Sequence, residues 1–132
     1  MTTYFDSSAL VKRYIVEPDS EQAIALINAE SLRVTSMITR VEVRRAIARI
    51  PSAVESSMAR EQFIVDLIQF DVAAVDSAVC DRAAAIAESS GIRSLDSLHL
   101  ATAMLAGCTK FVTFDRRQAA VAEELGMSIN LG

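Results

Sequence analysis

The chain has 132 residues, of which 52% are hydrophobic, and it carries a formal net charge of −4. This length and composition predict one domain, spanning residues 1–132, with enough apolar side chains to bury a core, and they exclude a low-complexity chain. The negative charge provides no overall attraction for nucleic acid, so binding of RNA or DNA requires a local basic patch.

The sequence shows no marks of export or membrane insertion. The first residues lack the basic segment and long apolar run of a signal peptide, and no run approaches the ~18 apolar residues of a membrane helix. Cys80 and Cys108 show neither a CxxC spacing nor a nearby His, which predicts two reduced and mostly buried thiols. We therefore expect a cytoplasmic protein without a membrane segment.

Short apolar runs alternate with longer segments of helical periodicity. Strands are predicted at 3–5, 32–35, 70–75 and 110–114, with a short edge strand at 127–131. Helices are predicted at 9–14, 19–29, 37–50, 52–69, 76–88, 94–106 and 116–125. This alternation predicts an α/β fold with a parallel sheet covered on both faces, whose functional crevice lies beyond the carboxyl ends of the strands.

Four acidic residues stand where the chain is otherwise apolar or about to turn. Asp6 follows the first predicted strand and Asp115 follows the fourth, so the sheet edge alone would bring them near each other. Each is equally consistent with a plain helix N-cap. Glu42 and Asp96 fall on predicted helices, where the alternatives are a surface pair of Glu42 with Arg45 and an Asp96 that favours the helix dipole.

Four carboxylates at one crevice would repel one another and would require a cation. A ligand set made only of oxygen atoms suits Mg²⁺ or Mn²⁺ and not a structural zinc site. The chemistry that uses such a site is the attack of water on a phosphodiester, so the pattern favours a metal-dependent nuclease.

Four segments of the chain resemble the PIN-domain ribonucleases, and most closely the VapC toxins of bacterial type II toxin–antitoxin systems. They are 6–12 (DSSALVK), 40–43 (RVEV) followed by Arg45, 95–103 (LDSLHLATA) and 112–115 (VTFD). Their order and spacing match over nearly the whole chain, and the block LDSLHLA is the most specific part.

The resemblance implies a three-layer α/β/α sandwich with a central parallel sheet, and an endoribonuclease that uses Mg²⁺ or Mn²⁺. The residues that map onto the family's catalytic and metal-binding acids are Asp6, Glu42, Asp96 and Asp115. Ser7 and Thr113 map onto hydroxyl positions beside the first and last of these acids. The implied partners are an RNA substrate, a VapB-type antitoxin whose C-terminal segment covers the site, and a second copy in a homodimer.

The chain departs from some relatives, which place a further acid shortly after the last Asp, because Asp115 is followed here by Arg116 and Arg117. A second metal ion would then need substrate phosphate to complete its ligands. The basic residues that follow the strand-end acids are Lys12, Arg13, Arg116 and Arg117. They are predicted phosphate contacts at the rim of the site, although solvated helix faces explain them equally well.

His99 is the only histidine. A packed, hydrogen-bonded histidine on an apolar helix is favoured over a general base or a ligand. Tyr14 and Phe63 either stack on bases or pack in the core or a dimer, and the low aromatic content favours packing. Arg45 is a candidate to orient Glu42.

Two other classes of function compete with the nuclease. A catalytically silent PIN-like module that binds RNA or protein is the main alternative. A haloacid-dehalogenase phosphatase is disfavoured because it needs an acid where this chain has Ser8, and a signalling receiver because it needs a strand-end Lys where this chain has Asp115.

Overall fold

A computed structural model describes residues 2–131, and its five strands form one fully parallel sheet in the order β3-β2-β1-β4-β5. The strands are β1 (Thr2–Phe5), β2 (Leu32–Ser36), β3 (Asp71–Ala73), β4 (Lys110–Val112) and β5 (Ser128–Ile129). The chain builds the sheet outward from β1 in one direction and then returns to add β4 and β5 on the other side. The strand order therefore reverses between β1 and β4, which is where parallel sheets form their crevice.

Within the described residues, seven α-helices connect and flank the strands. They are α1 (Ser7–Leu10), α2 (Ser20–Ala29), α3 (Met37–Ile47), α4 (Ala53–Asp66), α5 (Ser77–Ser90), α6 (Ser94–Leu105) and α7 (Arg116–Glu124). Short 3₁₀ turns extend α1 through Val11–Arg13 and α4 through Leu67–Gln69. Among the helices of residues 2–131, none has the length and apolar character needed to cross a bilayer.

The sheet is buried on both faces, which confirms the predicted three-layer α/β/α sandwich. Side chains alternate along the strands, so Tyr4 and Phe111 pack on the face covered by α5, α6 and α7. Their neighbours Phe5 and Val112 pack on the opposite face, against α1 to α4. Strands that are apolar on both sides are typical of a covered parallel sheet.

The predicted elements are all present, but several boundaries differ. β4 ends at Val112 instead of Phe114, because the backbone N–H of Thr113 donates to the Asn130 side chain at 3.0 Å and leaves the strand ladder. β3 spans Asp71–Ala73 instead of 70–75, and α3 stops at Ile47, three residues before the predicted end. The prediction that both thiols are mostly buried is wrong for Cys80, which is exposed on α5, whereas Cys108 is buried.

Candidate metal site at the carboxyl ends of β1 and β4

Asp6 lies directly after β1, at the point where the strand order reverses. Its backbone N–H donates to the Val112 carbonyl of β4 at 3.2 Å, which joins the ends of the two strands. Its side chain is the N-cap of α1 and accepts hydrogen bonds from Ala9 N at 3.0 Å, Ser8 Oγ at 2.8 Å and Thr113 Oγ1 at 2.6 Å. The N-cap interpretation is therefore correct, and it accounts for only one of the three donors.

The carboxyl group of Asp6 is almost completely buried, with 2% of the residue exposed. Burial raises its pKa, although the charge interaction with His99 and the three hydrogen bonds act in the opposite direction. Within residues 2–131, no Lys, Arg or His forms an ion pair with Asp6. A buried carboxylate that is hydrogen-bonded but not paired with a cation is a favourable place for a metal ion.

Glu42 reaches the same region from the second turn of α3. Its Oε1 atom accepts from Ser7 Oγ at 2.7 Å and contacts His99 Nε2 at 2.7 Å. Burial by itself would raise the pKa of Glu42, but the hydrogen bonds from His99 and Ser7 outweigh it and lower the pKa. No ion pair joins Glu42 to Arg45 in the described part of the chain, so the expectation that Arg45 orients this carboxylate is wrong.

His99 is buried and hydrogen-bonded, as predicted. Only 2% of the residue is exposed, and its Nδ1 atom lies 2.6 Å from the hydroxyl of Tyr4 on β1. Its Nε2 atom contacts Ser7 Oγ at 3.2 Å in addition to Glu42. The imidazole therefore lies between the buried core and the exposed side of the crevice.

Asp96 lies in the first turn of α6 and is paired with a neighbour on the same helix end. Arg93 Nε lies 3.3 Å from Asp96 Oδ2, and the Arg93 side chain is 78% exposed, whereas that of Asp96 is 18% exposed. An exposed pair of this kind contributes little stability. The Asp96 carboxylate is therefore held by a weak interaction that a stronger cation would replace.

Asp115 is the N-cap of α7. Its Oδ1 atom accepts from the backbone N–H of Arg117 at 2.9 Å and of Gln118 at 3.1 Å. Its own backbone N–H donates to Thr113 Oγ1 at 3.1 Å, and the same hydroxyl donates to Asp6. Thr113 therefore connects the acid after β1 with the acid after β4.

Gln118 connects α7 with the beginning of α6. This residue on α7 is 1% exposed, and its Nε2 atom donates to the backbone carbonyl of Asp96 at 3.1 Å. Its Oε1 atom also lies 3.4 Å from Thr113 Oγ1. The beginnings of α6 and α7 are thus joined by buried polar contacts next to the candidate site.

The acidic set has the chemistry that Mg²⁺ or Mn²⁺ requires but does not form a closed cage. Across residues 2–131, no three His, Cys, Asp or Glu side chains are close enough together to hold one ion. Mg²⁺ keeps several water ligands and is usually bound by one or two carboxylates together with substrate phosphate, so it does not need such a cage. The buried Asp6 and the oriented Glu42 fit that mode of binding.

Two of the predicted phosphate contacts, Lys12 and Arg13, form ion pairs within the chain. Lys12 is buried, pairs with Glu17 at 3.4 Å and Asp19 at 2.9 Å, and lies 5.1 Å from the ring centroid of Phe114. Its charge is thus neutralised within the chain, contrary to the expectation of a free cation at the rim.

Arg13 is also committed to an internal pair, because its Nε atom lies 2.8 Å from Asp66 Oδ2. The same oxygen accepts from the Tyr14 hydroxyl at 2.6 Å, and the Tyr14 ring packs edge-on against the buried Phe63. Packing, and not base stacking, is therefore the role of these two aromatic residues in the structure. Arg116 is exposed and stays available for phosphate.

Several residues of the site were not predicted from the sequence. Ser8, Arg93 and Gln118 contact a candidate ligand or its backbone, and Tyr4 contacts His99, which is bonded to Glu42. Ser8 carried the nearest thing to a signal, because it is a hydroxyl only two residues from the strand-end Asp6 and short polar side chains in turns tend to bond locally. The other three act through contacts with residues distant in sequence or through an exposed pair, and a single sequence does not reveal these contacts.

The model of the PIN domain family matches residues 3–124, a range that includes all four acids. The chain belongs to the PIN domain family. It is 34% identical to Ribonuclease VapC46 of Mycobacterium tuberculosis over 128 residues, which cover 96% of this chain and 94% of that relative. This similarity confirms the predicted resemblance to VapC ribonucleases.

Solved structures of low sequence identity share the same fold. FitAcB from Neisseria gonorrhoeae superposes with a TM-score of 0.80 at 19% identity, covering 98% of this chain and 97% of that chain. A toxin–antitoxin complex from Klebsiella pneumoniae gives a TM-score of 0.72 at 19% identity, covering 90% of this chain and 91% of the other. These PIN-domain structures confirm the fold that the resemblance implied.

Proposed function

We propose that this chain is a Mg²⁺- or Mn²⁺-dependent endoribonuclease toxin that acts in the cytoplasm and is restrained by an antitoxin protein. The observation that carries the proposal is the buried Asp6 carboxylate, which lies where the strand order reverses and has no cationic partner among residues 2–131. The ribonuclease activity named for the similar VapC46 supports the same assignment.

The candidate metal ligands are Asp6, Glu42, Asp96 and Asp115. Because no three of them lie close enough within residues 2–131 to hold one ion, one or two carboxylates would bind it together with water and substrate phosphate. A bound Mg²⁺ or Mn²⁺ supplies an activated water and neutralises charge on the phosphate. In the hydrolysis, a water oxygen bonds to phosphorus while one P–O ester bond breaks, and the departing sugar oxygen takes up a proton. The products are a phosphate monoester and a hydroxyl group, so no oxidant or further reactant is required.

Each of the chain's own groups has a distinct task in this proposal. Ser8, Thr113 and the backbone of Ala9 hold the Asp6 carboxylate in one orientation. Asp96 would be available to a metal ion if its weak pair with Arg93 opened, and Arg93 would then be an unpaired exposed cation at the edge of the site. Arg116 and Arg117, both exposed at the start of α7, are the remaining predicted phosphate contacts, and Arg117 also donates to the Gly91 carbonyl at 3.2 Å.

Substitution of Asp6 tests the proposed activity. Asp6→Asn keeps the size of the side chain and removes its charge, and the matched control is Asp81→Asn on the exposed face of α5. With Mn²⁺ present, we expect Asp6→Asn to cleave RNA about a hundredfold more slowly or worse, because the metal supplies several kcal/mol of charge stabilisation. Gel analysis of RNA fragments, with mapping of their ends, measures the rate.

Three outcomes decide between the hypotheses. Cleavage that is abolished by a chelator and by Asp6→Asn, but not by Asp81→Asn, supports the nuclease. Full cleavage by Asp6→Asn contradicts it. RNA binding by the unaltered chain, without cleavage of any RNA in Mn²⁺, would identify the catalytically silent module instead.

The antitoxin part of the proposal rests on an apolar groove between the end of α3, the start of α4 and the segment after α1. The groove has a volume of about 840 Å³. Its lining includes Val16, Ile50, Pro51 and Met58, with charged side chains at Arg45, Arg49 and Glu55. Val16 is 95% exposed and Met58 65% exposed, so a large apolar surface faces solvent in the isolated chain. An amphipathic helix of a partner protein fits a groove of this character.

Partner binding is tested with the product of the adjacent reading frame. We expect that protein to co-purify with this chain and to inhibit RNA cleavage. Met58→Asp should weaken the complex at least tenfold, because it places a charge in the apolar groove. Val54→Asp is the control, because Val54 is 69% exposed on the same helix and does not line the groove. Equal binding by both variants would rule out the groove as the docking site.

The proposed homodimer is supported by further exposed apolar side chains. Ile64, Val65 and Ile68 lie on or just after α4 and are 49%, 57% and 77% exposed. Light scattering during size-exclusion chromatography measures the mass directly, and a mass near 14.3 kDa for the isolated chain would contradict the dimer.

A further inference from the structure

Glu42 is held by a chain of hydrogen bonds that begins in the core of the protein. The Tyr4 hydroxyl lies 2.6 Å from His99 Nδ1, and His99 Nε2 lies 2.7 Å from Glu42 Oε1. Tyr4 is fully buried and His99 is 2% exposed, whereas the Glu42 side chain is 30% exposed. Three residues from β1, α6 and α3 thus form one line from the core to the crevice.

The direction of these hydrogen bonds follows from their chemistry. Ionised Glu42 only accepts, so the proton between the two residues lies on His99 Nε2. A neutral imidazole then presents Nδ1 as an acceptor, and the Tyr4 hydroxyl donates to it. Tyr4 is fully buried, which disfavours an ionised phenol, so its hydroxyl keeps the proton that it donates. A doubly protonated imidazole would also donate from Nε2 to Glu42, so the contact does not depend on its charge state.

The two carboxylate oxygens of Glu42 differ in their hydrogen bonds. Oε1 accepts hydrogen bonds from both Ser7 Oγ and His99 Nε2. Oε2 accepts no hydrogen bond from any residue between 2 and 131. A Glu side chain has several rotatable bonds, and two convergent donors on one oxygen remove most of that freedom while leaving the other oxygen available.

We propose that Tyr4 and His99 are positioning residues that orient Glu42 for a divalent cation, and that neither touches the metal ion or the RNA. This inference rests on the proposed function. Its structural basis is that Tyr4 stacks on Phe111 with ring centroids 5.1 Å apart, so the rigid core fixes the hydroxyl to which His99 is bonded. Residues that hold metal-binding side chains in this way typically affect metal affinity by about 10- to 100-fold.

Isothermal titration calorimetry measures the affinity of the full chain for Mn²⁺ and tests the proposal without reliance on activity. His99→Leu removes both hydrogen bonds of the ring, and we expect Mn²⁺ affinity to fall by about 10- to 100-fold. Tyr4→Phe removes only one hydroxyl and should lower the affinity by a smaller factor, because Nδ1 loses its donor and the tautomer with Nε2–H is no longer enforced. His99→Gln places an amide donor near the position of Nε2 and should recover part of the affinity.

Tyr14→Phe is the matched control for loss of a hydroxyl, because Tyr14 donates to Asp66 and not to the crevice. Melting temperatures without Mn²⁺ identify variants that have lost their fold. If His99→Leu does not fold, the Mn²⁺ affinity of Tyr4→Phe tests the positioning role instead. Wild-type Mn²⁺ affinity in folded His99→Leu overturns the role of His99, and the same result in Tyr4→Phe overturns the role of Tyr4.

The same titration distinguishes failure of the proposed metal dependence from failure of the positioning role of Tyr4 and His99. Asp6→Asn and Glu42→Gln should both weaken Mn²⁺ binding if the metal site is correct. If they do and the Tyr4 and His99 variants do not, only the positioning role fails. If the unaltered chain and all variants fail to bind Mn²⁺, both the proposed metal dependence and the positioning role are overturned.

Discussion

The two halves of the candidate site are built differently. Asp6 and Glu42 are fixed by donors from α1, from α6 and from the segment after β4, and Asp6 is almost fully buried. Asp96 and Asp115 instead interact with residues close by in sequence, through an exposed ion pair and a helix cap. The first half is thus organised before any ligand arrives, whereas the second consists of groups whose present interactions are weak or serve the ends of helices.

This difference indicates how the site divides its work. A preorganised pair of carboxylates suits the permanent ligands of a cation. Carboxylates held by weak local contacts suit ligands that complete the site when substrate binds. The four acids are therefore expected to contribute unequally to RNA cleavage and to Mn²⁺ binding.

The largest contrast is expected between Asp6 and Asp115. Asp6→Asn should reduce cleavage about a hundredfold or more, for the reason given above. Asp115→Asn should cost about tenfold, because Asn is an equally good helix N-cap and only the charge is lost. Initial rates of RNA cleavage in Mn²⁺ measure both. Equal losses would show that the two halves are not different in importance.

Thr113 is the next test, because its hydroxyl joins the two halves. Thr113→Val removes the donor to Asp6 and the acceptor for Asp115 N–H. We expect a loss of about 1–3 kcal/mol in the free energy of unfolding and of about 10- to 100-fold in cleavage rate. The control is Thr102→Val, since among residues 2–131 that buried hydroxyl bonds to the Leu98 carbonyl of its own helix and to no other group. If both variants cleave equally well, Thr113 has no special part in the site.

The pH dependence of stability should have opposite signs at Asp6 and Glu42 in the metal-free protein. Burial raises the pKa of Asp6 above its usual 3.8, so its contribution to stability is present below 3.8 and is lost as pH rises through the folded-state pKa. Metal-free Asp6→Asn should therefore be more stable than the wild type at pH 7, and this difference should shrink on acidification.

Glu42 should behave in the reverse way. Despite the opposing effect of burial, its hydrogen bonds lower its pKa below 4.5, so its contribution is present above 4.5 and is lost as pH falls through the folded-state pKa. Glu42→Gln should thus be less stable than the wild type at pH 7. Urea unfolding in a chelator at several pH values measures both variants, and the same sign for both would contradict the electrostatic contrast.

The smallest effect is expected at Arg93. Arg93→Gln removes an exposed pair, so the free energy of unfolding should change by less than about 1 kcal/mol. Mn²⁺ affinity should rise slightly, because Asp96 no longer has a competing cation. Arg82→Gln, an exposed arginine on α5, is the control. Weaker Mn²⁺ binding in Arg93→Gln alone would show that Arg93 supports the site instead of competing for it.

Most of the fold could be predicted from the sequence, because it depends on local patterns. Apolar runs identified every strand, and Asp76 was correctly expected to cap α5, although this helix continues past its predicted end at residue 88 to Ser90, where Gly91 is the left-handed C-cap. The errors lie where tertiary contacts decide. β4 stops early because the Asn130 side chain, far along the chain, takes the backbone hydrogen of Thr113. Cys80 is exposed because its position on α5 faces away from the core.

The candidate site shows the same limit. The four acids were identifiable as candidates because each stands after a strand or within an apolar segment, and Ser7 and Thr113 became candidates only through the resemblance to PIN-domain ribonucleases. The commitment of Lys12 and Arg13 to internal carboxylates was not identifiable, because an exposed and a neutralised cation look alike in one sequence. The chain from Tyr4 to His99 was also hidden, since these residues are 95 positions apart.

The sequence by itself thus determined the alternation of strands and helices, the resemblance to PIN-domain ribonucleases and the identity of the four acids. Only the tertiary structure decided which acid is buried, which is held by distant donors and which interacts only with the residues near it in sequence. The physical reason is that periodicity and capping act over a few residues, whereas burial and the geometry of hydrogen bonds depend on elements brought together from the whole chain. The acids after β1 and β4 were therefore alike in sequence, as polar residues that follow a strand, and became different only when the sheet placed one of them in its interior.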